Sequence, residues 1–538
     1  MVARRRSLAF GARSPDPDRN DVKPKDQPPR RLTRLFTRLD NVGWLHGRHR
    51  RVYVVPADGN AKPRPLTDGE PDTSGLAVSP NGAHVAYAAA RHDTWDLDLL
   101  EDLWIASVDG NDEPARKLTA TDRVWAQPSF SPDGSRLACT DLGEPWSITS
   151  PRVSVIDVSS GETTAVTAEL DRPCLYMTPQ APAWVGDDLV FSAEDRGNVH
   201  LFRAPADGSG KPEALVAGDR WVHAFDATGD VVAFAASDPT TLPEVFVRGP
   251  GGDERCLTTI GREFAARVDV SAPQRFTATS ADGTEVEGWY LSPAAAGPGG
   301  RYPTLLNVHG GPFTQYGNRF FDEFQYQAGA GYGVVYCNPR GSAGYGDDWG
   351  RSIAWPKHPA HPGSGWGRLD ADDVLAVLDE ACRRFDSVDA DRIGVIGGSY
   401  GGYMTSWLLS HSDRFKAGCS ERSANDLVAL EESSDIASVF RGYTGVSHLE
   451  DREAYAAHSP STFVADIHTP LLIVHSEGDL RCPIGQADAL FTALRVLGRD
   501  VEMLRFPEES HELSRSGAPK HRVQRAEAIL AWFDHLKP

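Results

Sequence analysis

The sequence predicts two architectures in series: an all-β propeller of about five recognisable blades, expected to be incomplete, then an α/β unit with a doubly wound, mostly parallel sheet. Three observations predict it. A strand–turn–strand grammar repeats through the first half of the chain. Strands alternate with amphipathic helices through the second half, which implies a parallel sheet with ligands at the carboxyl ends of its strands. Between one such strand and its helix sits Gly397-Gly398-Ser399-Tyr400-Gly401. The predicted division is residues 1–265 and 266–538, and 538 residues suit it because single cores rarely exceed about 300 residues.

The repeats carry the first half. VYVVPADGNAKPRPLT, LWIASVDGNDEPARKLT, VSVIDVSSGETTAVT, VHLFRAPADGSGKPEALV and VFVRGPGGDERCLT begin at 52, 103, 153, 199 and 245, so successive starts lie 51, 50, 46 and 46 residues apart. Between them fall AVSPNGAHVAYAA (77–89) and SFSPDGSRLACT (129–140), whose S-P-D/N-G cores are tight turns between paired strands. Four short strands in a period of about 45–50 residues is a propeller blade. A β-sandwich with coincidental turns is the competing reading. The fragment RSLAFGAR (6–13) resembles the second strand of a blade whose first strand is missing, and the polar, Pro-rich stretch 14–31 is expected to be a flexible loop.

In the second half, FTATSADGTEVEGWYLSP (276–293) predicts a hairpin, and TLLNVHGG (304–311) and GVVYCNPRG (333–341) predict buried strands. DDVLAVLDEACRRF (372–385) is amphipathic, with apolar residues at 374, 375, 377, 378 and 381. RIGVIGGSYGG (392–402) reads as strand, sharp turn and helix start; PLLIVHSEGD (470–479) as a strand; VQRAEAILAWFDHL (523–536) as the closing helix. The Gly-x-Ser-x-Gly turn is a nucleophile elbow, where small flanking residues let backbone pass close to a strained serine. That context makes the unit an α/β-hydrolase and Ser399 its nucleophile. The acid and histidine must follow in that order. Asp479 ends a buried strand and His511 lies in the loop before the last helix, 80 and 32 residues further on in turn. The expected oxyanion donors are the N–H groups of Tyr400 and of Gly311 in His309-Gly310-Gly311-Pro312.

Composition narrows the partners. Acidic residues outnumber basic ones 75 to 55, a formal charge of −20, so no nucleic-acid partner is expected. No apolar run of about 18 residues occurs, so no membrane partner is expected either. The seven scattered cysteines form no C-x-x-C pair, which argues for a reducing, cytoplasmic setting and against a thiolate metal site.

In order along the chain, HGGP (309–312), NPRGSAGYG (338–346), GWGRLDADD (365–373), GGSYGGYM (397–404), EGDLRCPIGQA (477–487) and SHELSRSG (510–517) resemble the prolyl oligopeptidase family of serine peptidases, most closely its acylaminoacyl-peptidase or dipeptidyl aminopeptidase-like branch. The resemblance implies a catalytic triad of Ser399, Asp479 and His511, oxyanion donors Gly311 and Tyr400, and His309, Asn338 and Arg340 as loop supports. It implies hydrolysis of short peptides through an acyl-enzyme, access limited by the propeller, no metal or organic cofactor, and self-association of the kind its members show. Two rival readings are a carboxylesterase on small acyl esters and a propeller scaffold with a silent hydrolase unit. The family's propeller has seven blades, so the chain is expected to lack one or two at its front, by deletion or by a start codon assigned too late. No Glu-Glu pair stands in a recognisable amine-binding context; Glu431-Glu432 lies in the second half and reads equally as a solvated helix face, so strict dipeptidyl peptidase activity is not expected.

Overall fold

A computed structural model describes residues 7–16, 18–20, 22–109, 114–145 and 147–537. Among them the front half forms five antiparallel blades. The first has three strands, Ser7–Arg13, Arg50–Pro56 and Arg64–Pro65. The other four have four strands each and begin with Thr73–Val78, Trp125–Phe130, Ala183–Val185 and Trp221–Thr228. The fragment read near the start pairs Ser7 with Pro56 through Arg13 with Arg50, and so belongs to the first repeat; its Arg6 lies outside the described residues. The S-P-D-G turns work as their chemistry requires. Gly134 takes φ +78°, and Asp133 accepts from Ser131 Oγ at 2.6 Å and from the Ser135 N–H at 3.0 Å.

The stretch between the first two strands runs out of the blade. It holds a single turn at Pro24–Asp26 and a short hairpin, Arg38–Leu39 with Gly43–Trp44, and ion pairs join Asp16 to Arg19 and Arg30. The last front strand ends at Cys256, and helix Ile260–Ala265 leads to the second sheet.

That sheet has eight strands: β1 (Gln274–Thr279), β2 (Glu285–Leu291), β3 (Tyr302–Val308), β4 (Gly333–Cys337), β5 (Val388–Gly398), β6 (Ala417–Glu421), β7 (Leu471–Ser476) and β8 (Val501–Phe506). Their order is β1-β2-β4-β3-β5-β6-β7-β8; β1–β2 and β2–β4 are antiparallel and the rest parallel. The expected doubly wound α/β-hydrolase sheet is present. Its central strands are buried on both faces, as apolar runs such as Leu471–Ser476 require. Helix α1 (Leu369–Arg384) buries Val374, Val377, Leu378 and Ala381 against the sheet, while α2 (Tyr400–His411) is buried almost all round. Helices α3 (Gly485–Val496) and α4 (Pro519–Phe533) complete the layers. Among the described residues no helix is long and apolar enough to cross a membrane.

Candidate active site

β5 and α2 meet at Ser399, which takes φ +63° and ψ −122°, a conformation few non-glycine residues adopt. The surroundings hold it there: its N–H donates to the Glu421 carbonyl at 2.9 Å, and its own carbonyl accepts from the Tyr403 N–H at 2.9 Å. Gly401 allows the turn, because a Cβ there would overlap the Val308 carbonyl oxygen of β3. Ser399 opens onto a cavity of about 660 Å³ that His511 also lines.

Asp479 and His511, separated by 32 positions, come together at the carboxyl ends of β7 and β8. His511 Nδ1 lies 2.8 Å from Asp479 Oδ2, with both side chains almost fully buried. The Cys482 N–H donates to Asp479 Oδ1 at 2.8 Å, which fixes the carboxylate plane. Burial pushes Asp479 up to about 6. Burial, then Arg422, Arg515 and Arg481, hold His511 well below the usual imidazole range. At neutral pH the pair is therefore a carboxylate beside a neutral imidazole whose Nε2 is free to accept a proton. No hydrogen bond joins Ser399 to His511, a contact that commonly tightens only with substrate present.

The 309–312 loop lies against the elbow: a Cβ on Gly310 would sit 3.4 Å from the Ser399 Cβ, and Gly311 takes φ +115°. His309 Nδ1 lies 2.7 Å from the Gly310 carbonyl and Nε2 2.9 Å from Ser342 Oγ. Burial lowers its pKa to about 4, so the ring is neutral at these contacts. Asn338 brackets the Tyr316 backbone at 2.8 and 2.9 Å, and Arg340 holds Asp373 at 2.6 and 2.9 Å and also Asp282. Tyr400, at the N-terminus of α2, donates its hydroxyl to Asp370 of the 365–373 motif. Asp370 also accepts from Gly367, Arg368 and Ala371 N–H groups, and burial raises it to about 6.

Sequence reasoning missed several residues. Asp40, on the hairpin from the first blade, accepts the Leu480 N–H at 2.9 Å and the His511 N–H at 3.1 and 3.2 Å. Its own N–H donates to Asp435 at 2.7 Å, and Asp435 pairs with Arg481 at 2.8 Å. Tyr176 and Met177 bring the propeller to the cavity wall. Asp40 left no signal in the sequence, because its partners lie 440 and 471 positions away. Glu431 and Glu432 do not line the cavity and instead approach His448 at 3.0 and 3.3 Å. Among the described residues no group of three His, Cys, Asp or Glu side chains is placed to hold a metal ion.

A propeller set over an α/β-hydrolase sheet, with a serine elbow in a cavity walled by both, defines a class: serine hydrolases acting on peptides. The comparisons narrow it. The prolyl oligopeptidase family matches residues 318–537. The uncharacterized peptidase YuxL of Bacillus subtilis (strain 168) is 32% identical over 541 residues, covering 96% of this chain and 79% of YuxL. A probable dipeptidyl-peptidase 5 of Emericella nidulans is 25% identical over 505 residues, covering 89% of this chain and 67% of its own. The acylaminoacyl peptidase of Pyrococcus horikoshii superposes with a TM-score of 0.82 at 26% identity, over 98% of this chain and 79% of that one. The chain belongs to the prolyl oligopeptidase family and is a serine peptidase.

Proposed function

We propose that Ser399, Asp479 and His511 form the catalytic triad, and that the enzyme removes acylated residues from the N-termini of short peptides. His511 takes the Ser399 proton as the hydroxyl attacks the scissile carbonyl, and Asp479 fixes the imidazole tautomer and stabilises the imidazolium. The Gly311 and Tyr400 N–H groups stabilise the oxyanion. The acyl-enzyme forms as His511 hands its proton to the departing amine, and water then releases the acyl product. The observation that carries this reading is the 2.8 Å contact of His511 Nδ1 with a buried Asp479, in a cavity that Ser399 shares.

The cavity of about 660 Å³, closed on one side by Tyr176 and Met177 of the propeller, supports short substrates. Trp366, Ile436, Phe440 and Tyr443 line one part of it and suit an apolar side chain on the acyl side of the scissile bond. An acylated N-terminus is favoured over a free amine because Glu431 and Glu432 are engaged with His448 outside this cavity. Seven free cysteines, five of them buried, support a reducing, cytoplasmic setting.

Acyl-amino-acid anilides, free-amine dipeptide anilides and simple esters, assayed side by side, test the reading. Acylated anilides should turn over fastest, and Ser399→Ala should lower kcat by at least about 10⁴-fold. Faster turnover of free-amine dipeptide anilides, turnover of esters alone, or activity that survives Ser399→Ala would overturn it.

A further inference from the structure

The catalytic cavity is bordered by six arginines in a chain of net charge −20: Arg319, Arg422, Arg481, Arg515, Arg522 and Arg525. Four have carboxylate partners. Arg481 pairs with Asp435, Arg515 with Glu512, Arg522 with Asp322, and Arg525 with Glu421 and Glu323. Arg319 and Arg422 form no ion pair among the described residues, and the Nε of each is buried without a hydrogen-bond partner. Both residues are half-buried, with their Nε atoms shut off from water, and a guanidinium partly desolvated without an ion-pair partner is favourably placed to take an anion that arrives with the ligand.

Arg422 follows β6 and reaches under the elbow, where a Cβ on Gly398 would sit 2.8 Å from its Nη2. Its Nη1 donates to Ser514 Oγ at 3.0 Å, three residues past His511. Arg319 follows the 309–312 loop, and its guanidinium is held 4.9 Å from the ring of Trp221, a propeller residue, and 4.8 Å from that of Phe321. Both arginines line the one cavity, and burial draws both below the usual guanidinium range.

His511 gives the cavity a direction. It returns a proton to the departing amine, so the departing half of the peptide lies on its side of Ser399. Arg422 is on that side: it is bonded to the segment carrying His511, and its charge disfavours protonation of that ring. A peptide cut close to its C-terminus brings a full negative charge there, since one or two extended residues span only about 3.5–7 Å. Guanidinium and carboxylate match as a two-pronged, charge-assisted contact.

We propose that Arg422 and Arg319 bind the free C-terminal carboxylate of a short leaving group, so that the preferred substrates end one or two residues beyond the scissile bond. This rests on the triad reading above, and the binding arm of the test is independent of turnover. Calorimetry on full-length Ser399→Ala compares acetyl-Phe-Ala-Ala as the free acid, acetyl-Phe-Ala-Ala amide and acetyl-Phe-Asp-Ala amide; wild-type kcat/KM is measured on the same three. The acid should bind at least about tenfold more tightly than its amide, the scale of one charge-assisted contact. That ratio should fall toward one when Arg422→Gln or Arg319→Gln is added. Equal binding of acid and amide in Ser399→Ala alone overturns the proposal even if the arginine variants fail to fold. So does a ratio that both variants retain, or a preference for the Asp-containing amide without one for the free acid, which would assign the arginines to an acidic side chain. Acid selectivity without cleavage of any of the three peptides would leave the carboxylate site standing and sink the peptidase mechanism.

Discussion

At the scale of residues, burial sets the chemistry of the proposed triad. His511 stays neutral because it is buried and because Arg422, Arg515 and Arg481 disfavour a further positive charge. Asp479 is raised to about 6 by the same burial, yet still ionises below neutrality. Protonating either partner stops catalysis: His511 then cannot accept a proton, and Asp479 can no longer hold the imidazolium. The two titrate as a coupled pair. As pH falls through about 6, kcat/KM should drop close to tenfold per unit, with no fall between 7 and 8 from these groups. A pH–rate profile on a non-ionising acyl anilide checks this, and a limb well above 7 would contradict it. Asp479→Asn should cost about 10⁴ in kcat, because the amide cannot enforce the tautomer that leaves Nε2 bare.

At the scale of elements, the site depends on how closely α2 approaches β3. The Gly401 Cα faces the Val308 carbonyl so tightly that any side chain must push helix and strand apart. Gly401→Ala should therefore destabilise the hydrolase half by about 3 kcal/mol or more and lower kcat together with it, read by thermal unfolding and by anilide turnover. A variant that melts with the parent would show that the elbow tolerates spreading. Elements of this kind were legible in the sequence. Buried apolar runs ending in Gly, Asp or His marked β3, β5 and β7, and the order of Ser399, Asp479 and His511 pointed to the proposed triad. What stayed hidden joins residues by charge or hydrogen bond across the fold, where no period announces it. Glu421 at the end of β6 meets Arg525 of α4 at 2.5 Å across 104 positions, and neither has a neighbour in sequence that hints at the other. The first blade shows the same division: strand Ser7–Arg13 was readable from its likeness to a blade's second strand, whereas the segment that separates it from its partner, and what that segment reaches, was not.

At the scale of the whole molecule, the propeller is built into the catalytic half as well as lying over it. Gln315 bonds the Gly197 N–H at 2.8 Å and the Asn198 carbonyl at 2.9 Å, and Arg152 pairs with Asp347 at 3.1 Å. The hairpin from the first blade goes furthest. Asp40 is buried, raised from the usual carboxylate range chiefly by that burial, and accepts the backbone N–H of His511 and that of Leu480, the residue after Asp479. Arg38 anchors the same hairpin by donating to the Ser433 carbonyl at 2.7 Å. One carboxylate thus ties both loops of the proposed triad to the propeller. Asp40→Ala would leave two buried N–H groups without an acceptor and loosen both loops, and a misplacement of about 1 Å can cost up to about 10² in rate. The expected outcome is a ten- to hundredfold fall in kcat/KM by about that measure, carried by kcat, while Arg38–Ser433 keeps the hairpin docked. Asp40→Asn separates position from charge. The amide oxygen can still accept one N–H, so most of the rate should return, but a charge that raises both His511 and Asp479 is gone. With Asn in place both groups titrate lower, and the acid limb of the pH–rate profile should move to lower pH. If Asp40→Ala turns over like the parent, or Asp40→Asn leaves the limb where it was, the hairpin is packing alone and the propeller has no hold on the triad.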